Sequence, residues 1–225
     1  MRKSPFSLLL FFLVFIGCGK DDMYNEADRF CNFKGYYYPN NVANLIGELS
    51  NDYIMLGFDS IYNESEIRKF ISAEAEFDQQ YNYKLLGKDF AVLKFNTPKT
   101  CSAIAAFIAK MQKSPIVSYA HYTMKTNDCN DRFTRFGLML GFTCITIYSD
   151  IFSVEVADTN KLADLYQLVA ETKTELLPYV SSSPNVFMLK ATKNSKADAL
   201  AMVNYFFESK HFVSVKPDLY NYAVK

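Results

Sequence analysis

The side chains best able to act as base, nucleophile or metal ligand near neutral pH are two histidines, His121 and His211, and five cysteines, Cys18, Cys31, Cys101, Cys129 and Cys144. Their spacing does not assemble a site. His121 falls in a β-like run and His211 at a helix–strand corner, so both read as solvated or core-edge histidines rather than ligands. No pair of cysteines is spaced for zinc. Gly-x-Ser-x-Gly, His-Glu-x-x-His and Gly-rich phosphate loops do not occur. Asp128-Cys129-Asn130-Asp131 gathers oxygen ligands but lacks the alternate spacing and the turn glycine of a calcium loop, so it reads as polar linker. The carboxylates are scattered over predicted helix surfaces. The expectation is a non-enzyme with no catalytic residue, no metal and no cofactor.

Two other groups of residues carry chemistry of a different kind. If the chain is secreted, Cys31, Cys101, Cys129 and Cys144 can oxidise, and four cysteines allow three pairings; buried free thiols fit the same residues. Tyr36-Tyr37-Tyr38 offers three rings in a row. A strand alternates, so Tyr36 and Tyr38 face one side and Tyr37 the other. Rings so placed can stack on a glycan, or can pack into a core and cover a sheet edge.

The start of the chain sets where that chemistry takes place. Arg2 and Lys3 are basic, and Phe6 to Ile16 is apolar apart from Ser7. A membrane-crossing helix needs about 20 apolar residues, so this shorter run reads as a secretory signal over residues 1–17. It ends in Phe15-Ile16-Gly17-Cys18, which resembles the lipobox of bacterial lipoproteins, with Phe where Leu is usual. The resemblance implies cleavage before Cys18 and acylation of its sulfur and its new amino group. More than one acyl chain gives stable anchoring, each buried methylene contributing about 0.8 kcal/mol. Gly19-Lys20-Asp21-Asp22 is similar to the charged export tag of Bacteroidota surface lipoproteins. That implies an outer-membrane protein facing the cell exterior, with Lys20, Asp21 and Asp22 as the export signal and residues 18–32 as its tether.

Composition is consistent with a globular exported domain. Half of the residues are hydrophobic and 16% are aromatic, which excludes a disordered chain. Lys plus Arg and Asp plus Glu number 24 each, and this balance argues against a nucleic-acid partner and against an electrostatic membrane patch. The membrane enters as a partner only through the lipid. About 200 residues follow Cys18, enough for one large domain or two small ones.

The elements that must position these residues occur in two rounds. Gly35–Pro39 reads as a strand, with Leu45–Leu49 as its hairpin partner. In the first round Tyr53–Phe58 is a strand. Asn63 caps a helix with Glu66 completing a capping box, and Ile67, Phe70 and Ile71 form its stripe. Asn82–Leu86 and Phe90–Phe95 are strands, and a helix starting near Thr97 or Thr100 carries Ile104, Phe107, Ile108 and Met111. Ile116–Tyr122 closes the round. In the second round Leu138–Tyr148 is β-rich, with a hairpin around Gly141, and Ile151–Val156 is a strand. Asp158 or Thr159 caps a helix with stripe Leu162, Leu165, Leu168 and Val169. Glu175–Val180 and Val186–Ala191 are strands, Ser195 caps a helix bearing Leu200, Val203 and Phe207, and Phe212–Val215 is the last strand, ended by Pro217-Asp218.

The stripes recur at a near-constant shift. Ile67, Phe70 and Ile71 map onto Leu165, Leu168 and Val169; Ile104 and Phe107 map onto Leu200 and Val203; Val117-Ser118 maps onto Val213-Ser214. This predicts a structural duplication. Each copy reads β-α-β-β-α-β, the split βαβ order, so the fold class expected is α+β, two tandem ferredoxin-like antiparallel sandwiches. Residues 33–122 form the first domain with an N-terminal β-hairpin, 123–137 the linker and 138–225 the second domain. Ile54, Met55, Leu56 and Phe58 are apolar on both sides of their strand, so the sheet face opposite the helices must be covered too.

A β-α-β-β-α-β unit closing on Val213-Ser214-Val215-Lys216-Pro217-Asp218 resembles the propeptides of subtilisin-type proteases, with residues 53–122 and 151–222 each matching one unit. In that family the open sheet face docks on the protease and the tail, here Leu219–Lys225, enters its cleft. No protease domain follows, so the resemblance implies an inhibitor or folding partner acting in trans on a secreted protease. The function expected is therefore a non-catalytic, surface-exposed, protein-binding lipoprotein. The alternative is a glycan-binding or nutrient-capture lipoprotein, which requires exposed, coplanar tyrosines.

Overall fold

A computed structural model describes residues 31, 33–39, 42–87, 89–126, 143–160, 162–178 and 183–224. The signal, Cys18, Lys20, Asp21, Asp22 and Cys129 lie outside the described residues. So do 127–142, which hold most of the expected linker and the expected turn at Gly141. The described chain is α+β, with one large antiparallel sheet and four α-helices among the described residues.

A short ribbon comes first: β1 (Tyr36–Tyr37) pairs with β2 (Asn44–Leu45), Tyr36 opposite Leu45. Then follow β3 (Glu48–Phe58), α1 (Glu64–Ala73), β4 (Leu85–Leu86), β5 (Phe90–Lys94), α2 (Cys101–Gln112) and β6 (Val117–Lys125). The second run is β7 (Thr143–Glu155), α3 (Ala163–Thr172), β8 (Glu175–Leu176), β9 (Val186–Lys190), α4 (Ala199–Glu208) and β10 (Ser214–Val224). The sheet order is β4-β5-β3-β6-β7-β9-β8, with β10 pairing with β7. Residues 48–125 and 143–224 therefore show the same order of strands. The two halves share one sheet, joined where Met124 and Lys125 of β6 pair with Thr146 and Ile145 of β7.

Local chemistry explains the helix starts. Asn63 accepts from the Glu66 amide at 3.1 Å while Glu66 accepts from the Asn63 amide at 2.8 Å, which caps α1 at both ends of the box. Thr100 caps α2 through the Ala103 amide. The expected caps of the later helices are corrected. Asp158 forms a local turn with the Asn160 amide, and α3 starts after Leu162 with no side-chain cap. Asp198, not Ser195, caps α4 through the Ala201 amide at 2.9 Å. A carboxylate at a helix N-terminus gains from the helix dipole as well as from the hydrogen bond, whereas the Ser195 hydroxyl donates to the Lys173 carbonyl.

Strands β6, β7 and β10 are longer than expected, while β1, β4 and β8 are shorter, β4 reduced to Leu85–Leu86 and β8 to Glu175–Leu176. Thr123, Met124 and Lys125, read as the start of the linker, continue β6. Thr143–Glu155 is one continuous strand, so Tyr148 and Ile151 belong to the same element. Pro217-Asp218 does not end β10. The register shifts between Pro217 and Leu219, and Leu219–Val224 continues antiparallel to Tyr148–Thr143. A bulge accommodates the residue that lacks an amide proton.

Three apolar clusters follow. Ile54, Leu56, Leu93 and Ala120 pack under α1 and α2 with Ile67, Ile104 and Phe107. Phe152, Val154, Leu189 and Val215 pack under α3 and α4 with Leu165, Leu200 and Phe206. The third cluster lies on the other face of the first half. Tyr53, Met55, Val92 and Tyr119 are covered there by Ile145, Ile147, Tyr222 and Val224, from the extended ends of β7 and β10. Full burial of an apolar side chain of this size contributes about 1.5–3 kcal/mol. Gly57 allows part of this packing, because a Cβ on it would stand 2.1 Å from the Tyr119 ring.

Candidate functional site

A connected set of buried polar and aromatic side chains lies at the seam between β6 and β7. His121 is 1% exposed. Its ring is stacked between Tyr119, at 4.7 Å, and Tyr148, at 4.4 Å. Strand alternation places Tyr119 and His121 on one face of β6, and the β6–β7 pairing brings Tyr148 against them. His121 Nδ1 donates to the Tyr148 carbonyl at 3.0 Å. The Tyr148 hydroxyl donates to Asp198 at 3.2 Å, so the carboxylate that caps α4 also ties the helix to the stack. Asp150, nearly buried, pairs with Lys190 at 3.3 Å. Beside it the hydroxyls of Ser149 and Tyr220 both donate to Asp218.

Burial dominates the electrostatics. It lowers the proton affinity of His121, against the opposing pull of Asp198, the Tyr148 carbonyl and Asp150. It raises Tyr148 far above the usual phenol range, with Asp198 adding to the effect, and it raises Tyr119 likewise. Tyr122 is pushed up to about 12, again chiefly by burial. Burial also raises Asp150, opposed by Lys190. At neutral pH the stack is therefore one of neutral rings. His121 and Tyr148 are each 1% exposed. The arrangement binds β6, β7 and α4 to one another. His121 is thus a core residue at the seam, not the solvated or edge histidine expected. His211 is exposed, with Nδ1 3.2 Å from Asp164.

The cysteines are placed more definitely than the sequence allows. Cys31, at the end of the stretch read as a tether, is disulfide-bonded to Cys101, the first residue of α2, with Cα atoms 5.4 Å apart. Cys144 is also disulfide-bonded. Among the described residues no group of three or more His, Cys, Asp or Glu is placed to hold a metal ion.

The three tyrosines do not form a platform. Tyr36 and Tyr38 meet edge to face, 83° between planes. Tyr38 is already stacked on Phe207 of α4 at 4.6 Å, and Tyr37 packs into the second half's core. The coplanar rings that glycan stacking requires are not present at Tyr36–Tyr38.

The two sheet faces that lie away from the helices differ. In the first half that face is apolar and buried. In the second it carries Ile151, Ser153 and Glu155 of β7, Val186, Met188 and Lys190 of β9, and Ser214 and Lys216 of β10. All are half-buried except Lys216, which is exposed, while the intervening Phe152, Val154, Leu189 and Val215 are buried. This is the alternation of a sheet with one wet face.

No protein-family model matches the chain, and no curated protein gives a significant match. Several solved structures align with it, two of them over most of its length. One is the acetolactate synthase small subunit from Thermotoga maritima, at 10% identity and a TM-score of 0.26, covering 77% of this chain and 97% of that one. The other is described as a glycine cleavage system transcriptional repressor, at 13% identity and a TM-score of 0.21, covering 76% and 95%. At these scores the likeness says nothing of what this chain does.

Proposed function

We propose that this chain is a lipid-anchored lipoprotein of the outer cell surface, built as two ferredoxin-like units sharing one sheet, and that it binds a protein partner without catalysis. Phe15-Ile16-Gly17-Cys18 and Gly19-Lys20-Asp21-Asp22 support the anchor and the outward display. Replacing Cys18 by Ser abolishes palmitate labelling and releases the protein from the membrane pellet; a variant that stays labelled and sedimented refutes the anchor. With Cys18 acylated and Cys31 joined to Cys101, Cys129 is the thiol left for Cys144, which a non-reducing peptide map reads directly.

The observation that carries the binding reading is the wet sheet face of the second half. Ser153 stands between Met188 and Lys216, and Glu155 between Val186 and Ser214, a mixed polar and apolar surface on a rigid sheet. Such a face suits a protein surface of similar mixture. A protease in trans would have to dock on this face alone, because Leu219–Val224 is held in the sheet rather than free to enter a cleft. The test mixes the full-length protein with secreted subtilisin-type proteases and scores complex and inhibition. A complex weakened tenfold or more by Ser153→Arg with Lys216→Glu supports the reading. No complex at micromolar protein removes the protease, and a complex indifferent to both substitutions removes the face.

A further inference from the structure

The N-terminal segment touches both halves, and each contact is of a different kind. At one end Cys31 is bonded to Cys101 of α2 in the first half. At the other the chain runs through Gly47 straight into β3 of the same half, with Gly47 so close to β6 that a Cβ on it would stand 2.2 Å from the Lys125 carbonyl oxygen. Between these two fixed points the segment lies on the second half. Asn204 Nδ2 of α4 donates to the Tyr36 carbonyl at 3.0 Å, Tyr38 stacks on Phe207, and Tyr37 and Ile46 pack into the second core. Phe33 sits at the junction, edge-on to Tyr122 at 5.4 Å and in contact with both cores. Among the described residues the ribbon pairs at two positions, with the Ile46 amide donating to the Gly35 carbonyl and the Val42 amide to the Pro39 carbonyl. A two-stranded ribbon of this length has no independent stability, so its ends must hold it.

We infer that this segment is a thiol-releasable clasp: covalently closed on the first half through Cys31–Cys101, it holds α4 of the second half against the seam, and reduction of that one disulfide opens it. The bond fixes Cys31, at the start of the segment, on the first residue of α2, so cutting it leaves the segment joined to the first half through Gly47 and β3. Both cysteines are half-buried, Cys101 against the first core, whereas Cys144 is buried. A dithiol supplies both electrons. One of its thiolates attacks a sulfur of the Cys31–Cys101 bond and displaces the other as a thiolate, and its second thiol then resolves the mixed disulfide. The products are two protein thiols and one oxidised, cyclic reductant. Opening leaves Phe33, Tyr37 and Ile46 without their fixed end and uncovers the Asn204–Phe207 side of α4. The sheet, joined independently at Met124–Thr146 and Lys125–Ile145, stays whole.

Hydrogen exchange on the full-length protein tests this. In the double variant Cys31→Ser with Cys101→Ser, exchange at Tyr36–Tyr38, Leu45–Ile46 and Asn204–Phe207 rises roughly tenfold or more while α1 and β5 keep their protection. Unchanged exchange in the segment, or an equal rise through the whole chain, overturns the clasp. Should the variant not fold, wild-type protein titrated with dithiothreitol and alkylated under native conditions gives the same answer. Cys31 and Cys101 label before Cys144, with the segment alone losing protection. Labelling of Cys144 first or together with them overturns it.

Discussion

The two sheet faces turned away from the helices have the same topological origin and opposite fates. On the first half, Tyr53, Met55, Val92 and Tyr119 are sealed by Ile145, Ile147, Tyr222 and Val224. On the second, Ser153, Glu155, Lys190, Ser214 and Lys216 meet water. The difference comes from length. Strands β7 and β10 run past their own half and lay their ends over the neighbour, and nothing among the described residues returns the cover. Joining the two halves in one sheet thus covers one apolar face internally and leaves the other free to be polar.

The largest expected effect is a charge placed in the sealed face. Ile147→Asp buries an unpaired carboxylate opposite Met55 and Val92 and costs about 4 kcal/mol or more in urea denaturation. The same comparison at Ser153→Asp on the wet face shifts stability by no more than about 0.5 kcal/mol. Equal costs would break the contrast. A smaller loss, about 1–3 kcal/mol, is expected for Gly57→Val, whose side chain meets the Tyr119 ring; the denaturant midpoint moves without change of slope.

His121 sharpens the comparison through pH. Burial lowers its folded-state proton affinity, so its contribution is whole above the unfolded value of about 6.5 and is lost as pH falls from there towards the lower folded value. Within that window wild type loses up to about 1.4 kcal/mol per pH unit relative to His121→Gln. The groups facing the ring are Tyr119 on β6, Tyr148 and Asp150 on β7 and Asp198 at the start of α4. Asp150, raised by burial and opposed in part by His121, acts with the opposite sign, so the difference between the two proteins reports the coupled pair. Parallel pH profiles for the two proteins would show that His121 is not held neutral by the seam.

Much of the helical layer was legible in the sequence, because its signals are local. The capping box at Asn63 and Glu66, the cap at Thr100 and the stripes of Ile67, Ile104, Leu165 and Leu200 stand where their spacing puts them. Where two local signals compete, tertiary contact decided. Ser195 and Asp198 both precede α4, and only Asp198 has the Tyr148 hydroxyl as a second partner. The strand ends were not legible. From Cys144 to Tyr148, Ile145 and Ile147 make one face apolar while Cys144 and Tyr148 flank Thr146 on the other, so the pattern cannot say which side finds a cover. Pro217 looks like a stop until a bulge carries the strand past it. The His121 stack depends on β6 meeting β7 across the undescribed stretch, and no spacing in the sequence encodes that meeting.

Among the described residues each of the two faces carries one methionine, and these provide the most direct measurement. Met55 is fully buried in the sealed face, and Met188 is half-buried on the wet one between strands β7 and β8. In folded full-length protein under dilute hydrogen peroxide, Met188 converts to sulfoxide roughly tenfold or more faster than Met55, with buried Met124 and Met202 as slow controls. Met55 oxidising as fast as Met188 would contradict the sealed face, and Met188 as slow as Met55 would contradict the open one.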